Sequence, residues 1–219
     1  MIVVMEMVSL KAPKTFEVVE AILEQKKFTQ LALSRQVDAS FGIVNRTTRW
    51  LEAKNYVKKT GKFYELRDPA GILSSLAVFR DMKSLIIDEV TVSLTPAQIK
   101  GLLPPDRVCY CLETALEEYS NYFRANRVCV YVDKKDVPRL LALLENRKGP
   151  GTQVVFYEEK PPVKGKKPTL PEFKDTQTTN ESINRWYTPR TRTVIDLVCD
   201  NKAYAAQDLF MSLWGIKLA

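Results

Sequence analysis

Residues 28–66 read FTQLALSRQVDASFGIVNRTTRWLEAKNYVKKTGKFYEL, and the order of signals within them decides how the chain is read. Thr29 is an N-cap candidate for a short helix over residues 30–37, in which Leu33 and Val37, four apart, form an inner face. Ser40 is a second N-cap candidate and opens a helix that runs to about Lys54. Val44, Thr48 and Leu51 recur at i, i+4 and i+7 and are expected to pack inward, with small Ser34 letting the two helices approach. Asn55 suits a left-handed C-cap, and YVKK and KFYEL alternate around Thr60-Gly61 as two strands with a tight turn.

Inward packing of Val44, Thr48 and Leu51 leaves Gly42, Asn45, Arg46 and Arg49 on the opposite face of the second helix, beside its Ser40 start. Lys58, Lys59 and Lys62 crowd the hairpin tip. With a first helix over residues 14–26, where Phe16, Val19, Ile22 and Leu23 share one stripe, this is the order of a winged helix-turn-helix. Asn pairs well with adenine and Arg with guanine in the major groove, and lysines at a hairpin tip suit phosphates or the minor groove. Ser40, Gly42, Asn45, Arg46, Arg49, Lys58, Lys59 and Lys62 are therefore the expected DNA-binding residues.

The charge distribution agrees. Residues 25–67 hold ten Lys/Arg against three Asp/Glu, whereas residues 84–159 hold nine against eleven. A local excess of that size points to a polyanion, or more simply to a solvated basic face. No run of 18 apolar residues is present, so a membrane span is not expected. The opening MIVVMEMVSL lacks a basic leader and reads as a leading strand or an alternative start, not a signal peptide. Cys109, Cys111, Cys129 and Cys199 sit in apolar, strand-like runs and read as reduced core thiols of a cytoplasmic protein. With no histidine in 219 residues, Cys/His zinc sites and Ser-His or Cys-His catalysis are excluded. No metal and no cofactor is expected.

Asp68-Pro69 marks a boundary, followed by an apolar helix over 69–83 with Ile72, Leu76 and Phe79 on one face, expected to bridge two domains. Residues 84–219 alternate between strand and helix patterns. LIIDEVTVSL, VCVYV, TQVVFYEE and TVIDLVC read as strands. TPAQIKGLL (Thr95 as cap, Pro96 first), CLETALEEYSNYF, KDVPRLLALLE and AYAAQDLFMSLWG read as helices. The expected fold class is α+β: a winged helix-turn-helix over 1–68, then a mixed α/β sheet domain over 84–219. Within the latter, residues 160–192 carry eight Lys/Arg and three acids and read as a long basic surface loop.

LSRQVDAS-x-G-x-V-N-R-x-x-R-W-L-E-x-x-x-Y-V resembles the second and third helices of winged-helix transcriptional regulators. Added to it are D-P-x-x-x-L-x-x-L-A-x-x-R, Y-C-L-E-T-A-L-E-E-Y, V-x-V-Y-V-D and R-T-R-T-V-I-D-L-V-C-D. The whole set resembles the AbiEi group of antitoxins from type IV toxin–antitoxin systems. That resemblance implies a nucleotidyltransferase-like second domain that is not catalytic. It also implies autorepression by binding an inverted-repeat operator in double-stranded DNA. The implied functional counterpart is a nucleotidyltransferase-like toxin, antagonised without a stable complex.

Two other functions compete. A working nucleotidyltransferase needs a Gly-Ser turn and acids in D-x-D spacing to bind paired Mg²⁺. Here Asp133 with Asp136 and Asp196 with Asp200 are three and four apart, Asp88-Glu89 are adjacent, and no Gly-Ser precedes the helix after Cys111. Asp196 therefore reads as a structural carboxylate capping a loop, and the chain as a non-enzyme. The third possibility is an RNA-binding or scaffold protein working through the 160–192 loop.

Overall fold

A computed structural model describes residues 8–120, 122–159 and 187–218. The residues 1–7 expected to begin a leading strand, and most of the expected basic loop (160–186), lie outside the described residues. The fold is a mixed α+β arrangement with two sheets, and it divides into two compact units. One comprises Met1–Asp81 with Val198–Ala219, the other Met82–Leu197. No helix among the described residues is long and apolar enough to cross a membrane.

In the first unit α1 (Pro13–Gln25) buries Phe16, Val19, Ile22 and Leu23 as their spacing predicts. A two-residue strand β1 (Lys27–Phe28) precedes α2 (Gln30–Gln36), which Thr29 caps by accepting from the Ala32 amide at 3.2 Å. α3 (Phe41–Ala53) is capped in the same way by Ser40, through the Ile43 amide at 3.4 Å. Ser34, expected only to leave room, donates its hydroxyl to the Ala39 carbonyl at 2.6 Å and pins the link between α2 and α3. Asn55 adopts φ 61°, with its amide on Glu52 O and the next amide, of Tyr56, on Leu51 O. Those are the two bonds of a Schellman ending, with Asn in the left-handed position.

β2 (Val57–Thr60) and β3 (Phe63–Leu66) pair antiparallel, and β1 adds to the far edge of β3, giving the order β1-β3-β2. Thr60 faces Phe63, so the turn residues are Gly61 and Lys62, one position later than the pattern around Thr60-Gly61 suggested. Only Gly61 of the two has positive φ, the signature of a type II′ hairpin turn. α4 (Pro69–Phe79) follows Asp68, whose carboxylate accepts the Gly71 amide at 2.8 Å. It buries Ile72, Leu73 and Leu76 but leaves Phe79 exposed, and through Asp81 it groups with the first unit.

The second unit is a four-stranded mixed sheet: β4 (Ile86–Val92), β5 (Val108–Tyr110), β6 (Arg127–Val132) and β7 (Thr152–Glu158), ordered β4-β7-β6-β5. β6 and β7 run parallel and the outer pairs antiparallel. α7 (Val137–Leu144) lies between the parallel strands in sequence, because a parallel pair needs a crossover. α5 (Pro96–Leu102) starts with a capping box in which Thr95 and Gln98 satisfy each other's backbone amides. Val108, Tyr110, Val128, Val130, Val132, Val154 and Phe156 form one core face with Ile99, Leu140 and Leu144. α6 (Leu112–Tyr119) packs along β6, where Thr114 Oγ1 accepts the Cys129 amide at 2.8 Å.

One predicted strand is a helix. TVIDLVC lies in α8 (Arg190–Cys199), in which Thr191–Val198 are all buried. A helix buried on every side shows no 3.6-residue alternation, and its β-branched residues imitate a core strand. A second difference concerns the chain end: α9 (Gln207–Trp214) lies in Val198–Ala219, which groups with the first unit and not with the sheet domain expected over 84–219. Trp214 Nε1 donates to the Leu23 carbonyl of α1 at 3.1 Å.

Candidate nucleic-acid interface

α3 has two contrasting faces. Val44, Thr48 and Leu51 are fully buried, joined by Thr47, and Thr48 satisfies its own hydroxyl on the Val44 carbonyl at 2.7 Å. Gly42, Arg46 and Arg49 are exposed and Asn45 is half-buried. Ser40 is exposed as well, but its oxygen already holds the Ile43 amide. Among the described residues Arg46 and Arg49 have no ion-pair or hydrogen-bond partner. Each therefore presents a permanently charged planar fork of donors to solvent. A groove of about 280 Å³ beside Arg46 is lined by Ser9, Ala12, Lys14 and Thr15 of the α1 start and by Ile43 and Thr47 of α3.

Asn45 is tied to α2. Gln30 Nε2 donates to Asn45 Oδ1 at 3.2 Å, which orients the Asn45 amide while its nitrogen keeps no protein partner among the described residues. Gln30 was not among the residues singled out from the sequence. It stands fifteen positions from Asn45, and only the packing of α2 on α3 brings the two amides together.

The three hairpin lysines do not share one surface. Lys58 lies opposite Glu65 and Lys59 opposite Tyr64, and consecutive strand residues point to opposite faces. Lys58 is exposed and has no partner among the described residues. Lys59 leans over the Tyr64 ring at 5.9 Å, and Lys62, in the turn, over Phe63 at 5.5 Å. Glu65 is matched locally by Lys27 at 3.3 Å and Arg67 at 3.1 Å. The acids of this surface are thus partly neutralised, while Arg46, Arg49 and Lys58 stay unmatched among the described residues.

The acids of the sheet unit are held in structural roles. Asp133 accepts the Lys135 amide at 3.2 Å, and Asp136 pairs with Arg107 at 3.1 Å. Asp196 lies on α8, so it does not cap a loop. It is fully buried and accepts Arg192 Nε at 2.9 Å, and Arg192 also holds Glu159. Asp200, which belongs to the first unit, pairs with Lys202. Among the described residues no group of three or more His, Cys, Asp or Glu side chains is placed to hold a metal ion.

Burial pushes the Cys109 thiol from its ordinary 9.0 up to about 12 and the Cys111 thiol well above 9.0. It raises the Tyr119 phenol from 10.0 to about 12. The folded values exceed the unfolded ones, so as pH rises the unfolded chain loses protons first. Stability is then intact below about pH 9 and falls progressively toward pH 12. Urea midpoints measured from pH 7 to pH 11 are expected to drop above pH 9, less steeply in Cys109→Ala. A flat profile to pH 11 would contradict this.

Compared with models of protein families, with curated proteins and with solved structures, the chain matches none.

Proposed function

We propose that the segment from α1 to β3 is a winged helix-turn-helix and that the chain is a sequence-specific DNA-binding regulator. α3 enters the major groove, and the β2–β3 hairpin, as the wing, follows the adjacent backbone. The observation that carries this reading is the set of exposed cations Arg46, Arg49 and Lys58 on α3 and the following hairpin, unmatched among the described residues. A folded surface that leaves such groups unmatched, within a segment of ten Lys/Arg against three acids, suits a polyanion. Both arginines project from α3 and are suited to guanine edges, whereas Lys58 and Lys62 on the hairpin are suited to phosphates.

Within that reading the protein is an autorepressing antitoxin of the AbiEi type. The motifs running from the helix after Asp68-Pro69 to R-T-R-T-V-I-D-L-V-C-D support it. The four-stranded unit is then a nucleotidyltransferase-like domain without catalytic duty, a role suited by acids that are engaged in structural pairs. Its counterpart is a nucleotidyltransferase-like toxin encoded beside it.

Titration of the full chain with duplex from upstream of its own gene and with scrambled duplex tests the reading. The parent chain prefers the upstream duplex. Arg46→Ala/Arg49→Ala removes that preference, at about 1–3 kcal/mol per base contact. Lys58→Ala/Lys62→Ala weakens both duplexes alike and reduces the salt slope by about 0.9 per lost phosphate contact. Equal losses from both variants refute the division of roles. Tighter binding to single-stranded RNA than to either duplex refutes the DNA reading.

A further inference from the structure

The start of α3 carries three features that the cations leave unexplained. Phe41, its first residue, is 51% exposed, an uneconomical place for a large apolar ring. Gly42 follows it, although a Cβ there would meet nothing closer than Ser40 Oγ at 4.0 Å and no positive φ is involved. Neither packing nor backbone geometry calls for glycine, which in a helix costs stability relative to alanine. The third is the Gln30–Asn45 amide link, which directs the Asn45 oxygen toward α2 and leaves its nitrogen without a partner among the described residues.

We infer that these residues form a reading edge for an adenine with a thymine one or two base steps away. The inference rests on the DNA-binding reading proposed above. Asn45 Nδ2 donates to adenine N7, and the second lone pair of Asn45 Oδ1 accepts from adenine N6, the first being taken by Gln30. Gln30 is a positioning residue: it makes no base contact and holds the amide in the orientation that suits adenine. Phe41 and Asn45 are four residues apart, hence on neighbouring parts of one face and about 6 Å apart along the axis. With base pairs spaced about 3.4 Å, the ring meets the 5-methyl of a thymine one or two steps on. The missing side chain at Gly42 lets the helix come close enough for both contacts.

Base analogues that delete single atoms test each contact. Full-length chain selects its preferred duplexes from a randomised pool, and the selected duplex is remade with 7-deazaadenine for adenine or deoxyuridine for thymine. The selected half-site is expected to contain the adenine and its neighbouring thymine. Loss of N7 weakens the parent chain at least about fivefold and leaves Asn45→Ala unaffected. Loss of the methyl weakens the parent about fourfold and leaves Phe41→Ala unaffected. Gln30→Ala broadens the base preference at the adenine position while its binding to random duplex at the same salt stays unchanged. A selected site without that adenine, or analogue penalties equal in parent and variants, overturns the inference and leaves the DNA reading standing. A pool that yields no enriched duplex overturns both.

Discussion

Asp196→Ala is expected to destabilise the sheet unit by about 3–5 kcal/mol, because it takes the fully buried counter-charge from a buried guanidinium. Asp196 is 0% exposed, and the Arg192 side chain is only 9% exposed. Arg192 Nε lies 2.9 Å from Asp196 Oδ1, the guanidinium sits 5.4 Å from the Tyr131 ring, and its other edge holds Glu159. Without Asp196 the guanidinium loses its fully buried counter-charge, and Glu159, which is 30% exposed, lies at the edge of the cluster. Replacing both partners, as Arg192→Met/Asp196→Leu, is expected to cost less than either single change, since no fully buried charge is then stranded and Glu159, 30% exposed, stays in reach of water. Urea unfolding followed by far-ultraviolet circular dichroism checks both statements. A single variant within about 1 kcal/mol of the parent would show that the pair is not a stabilising element. The same geometry bears on any test for transferase activity: Asp196→Asn is expected to disturb folding by removing a buried counter-charge, so lost activity in that variant would not identify a metal ligand.

Gly151→Ala is expected to be nearly as damaging, by about 2–4 kcal/mol, for a steric reason. Gly151 has φ +157°, and a Cβ there would lie 2.4 Å from the Val92 carbonyl oxygen and 3.2 Å from Ser93 Cα. Both obstacles are backbone, so neither can rotate aside. Gly151 leads into β7, which is hydrogen-bonded to β4 on one side and β6 on the other, and Val92 pairs with Thr152. Relieving the clash therefore shifts a central strand against both neighbours. Gly101→Ala is the control, since nothing lies within 4 Å of its added Cβ and the residue is in α5. That change is expected to be neutral or stabilising by up to about 1 kcal/mol. Equal melting temperatures for the two variants would remove the steric argument.

Glycine at 151 was not singled out from the sequence, and the reason is general. Its requirement comes from the Val92–Ser93 backbone, 58 to 59 residues earlier in the chain, and no local pattern encodes that approach. The α8 error has a related origin. Residues 190–199 hold Arg192 and Asp196 four apart, a spacing that suits an ion pair on a helix. The β-branched run around them outweighed that signal. Lys58 and Lys59 show the converse case: strand parity alone separates adjacent residues onto opposite faces, so the split was legible before any coordinates.

Most local elements were legible from the residues alone, α8 being the exception. Thr29, Ser40, Asp68 and Thr95 mark helix starts, Asn55 ends α3, and Val44, Thr48 and Leu51 identify its buried face. Caps and helical periodicity act over three to seven residues, so a linear reading captures them. The strand order β4-β7-β6-β5, the return of α9 to the first unit and the Gln30–Asn45 link came from long-range packing. Each depends on residues far apart in sequence, as in the 191-residue span between Trp214 and the Leu23 carbonyl. Those contacts arise from burying shared apolar surface, which the pattern of any one segment does not specify.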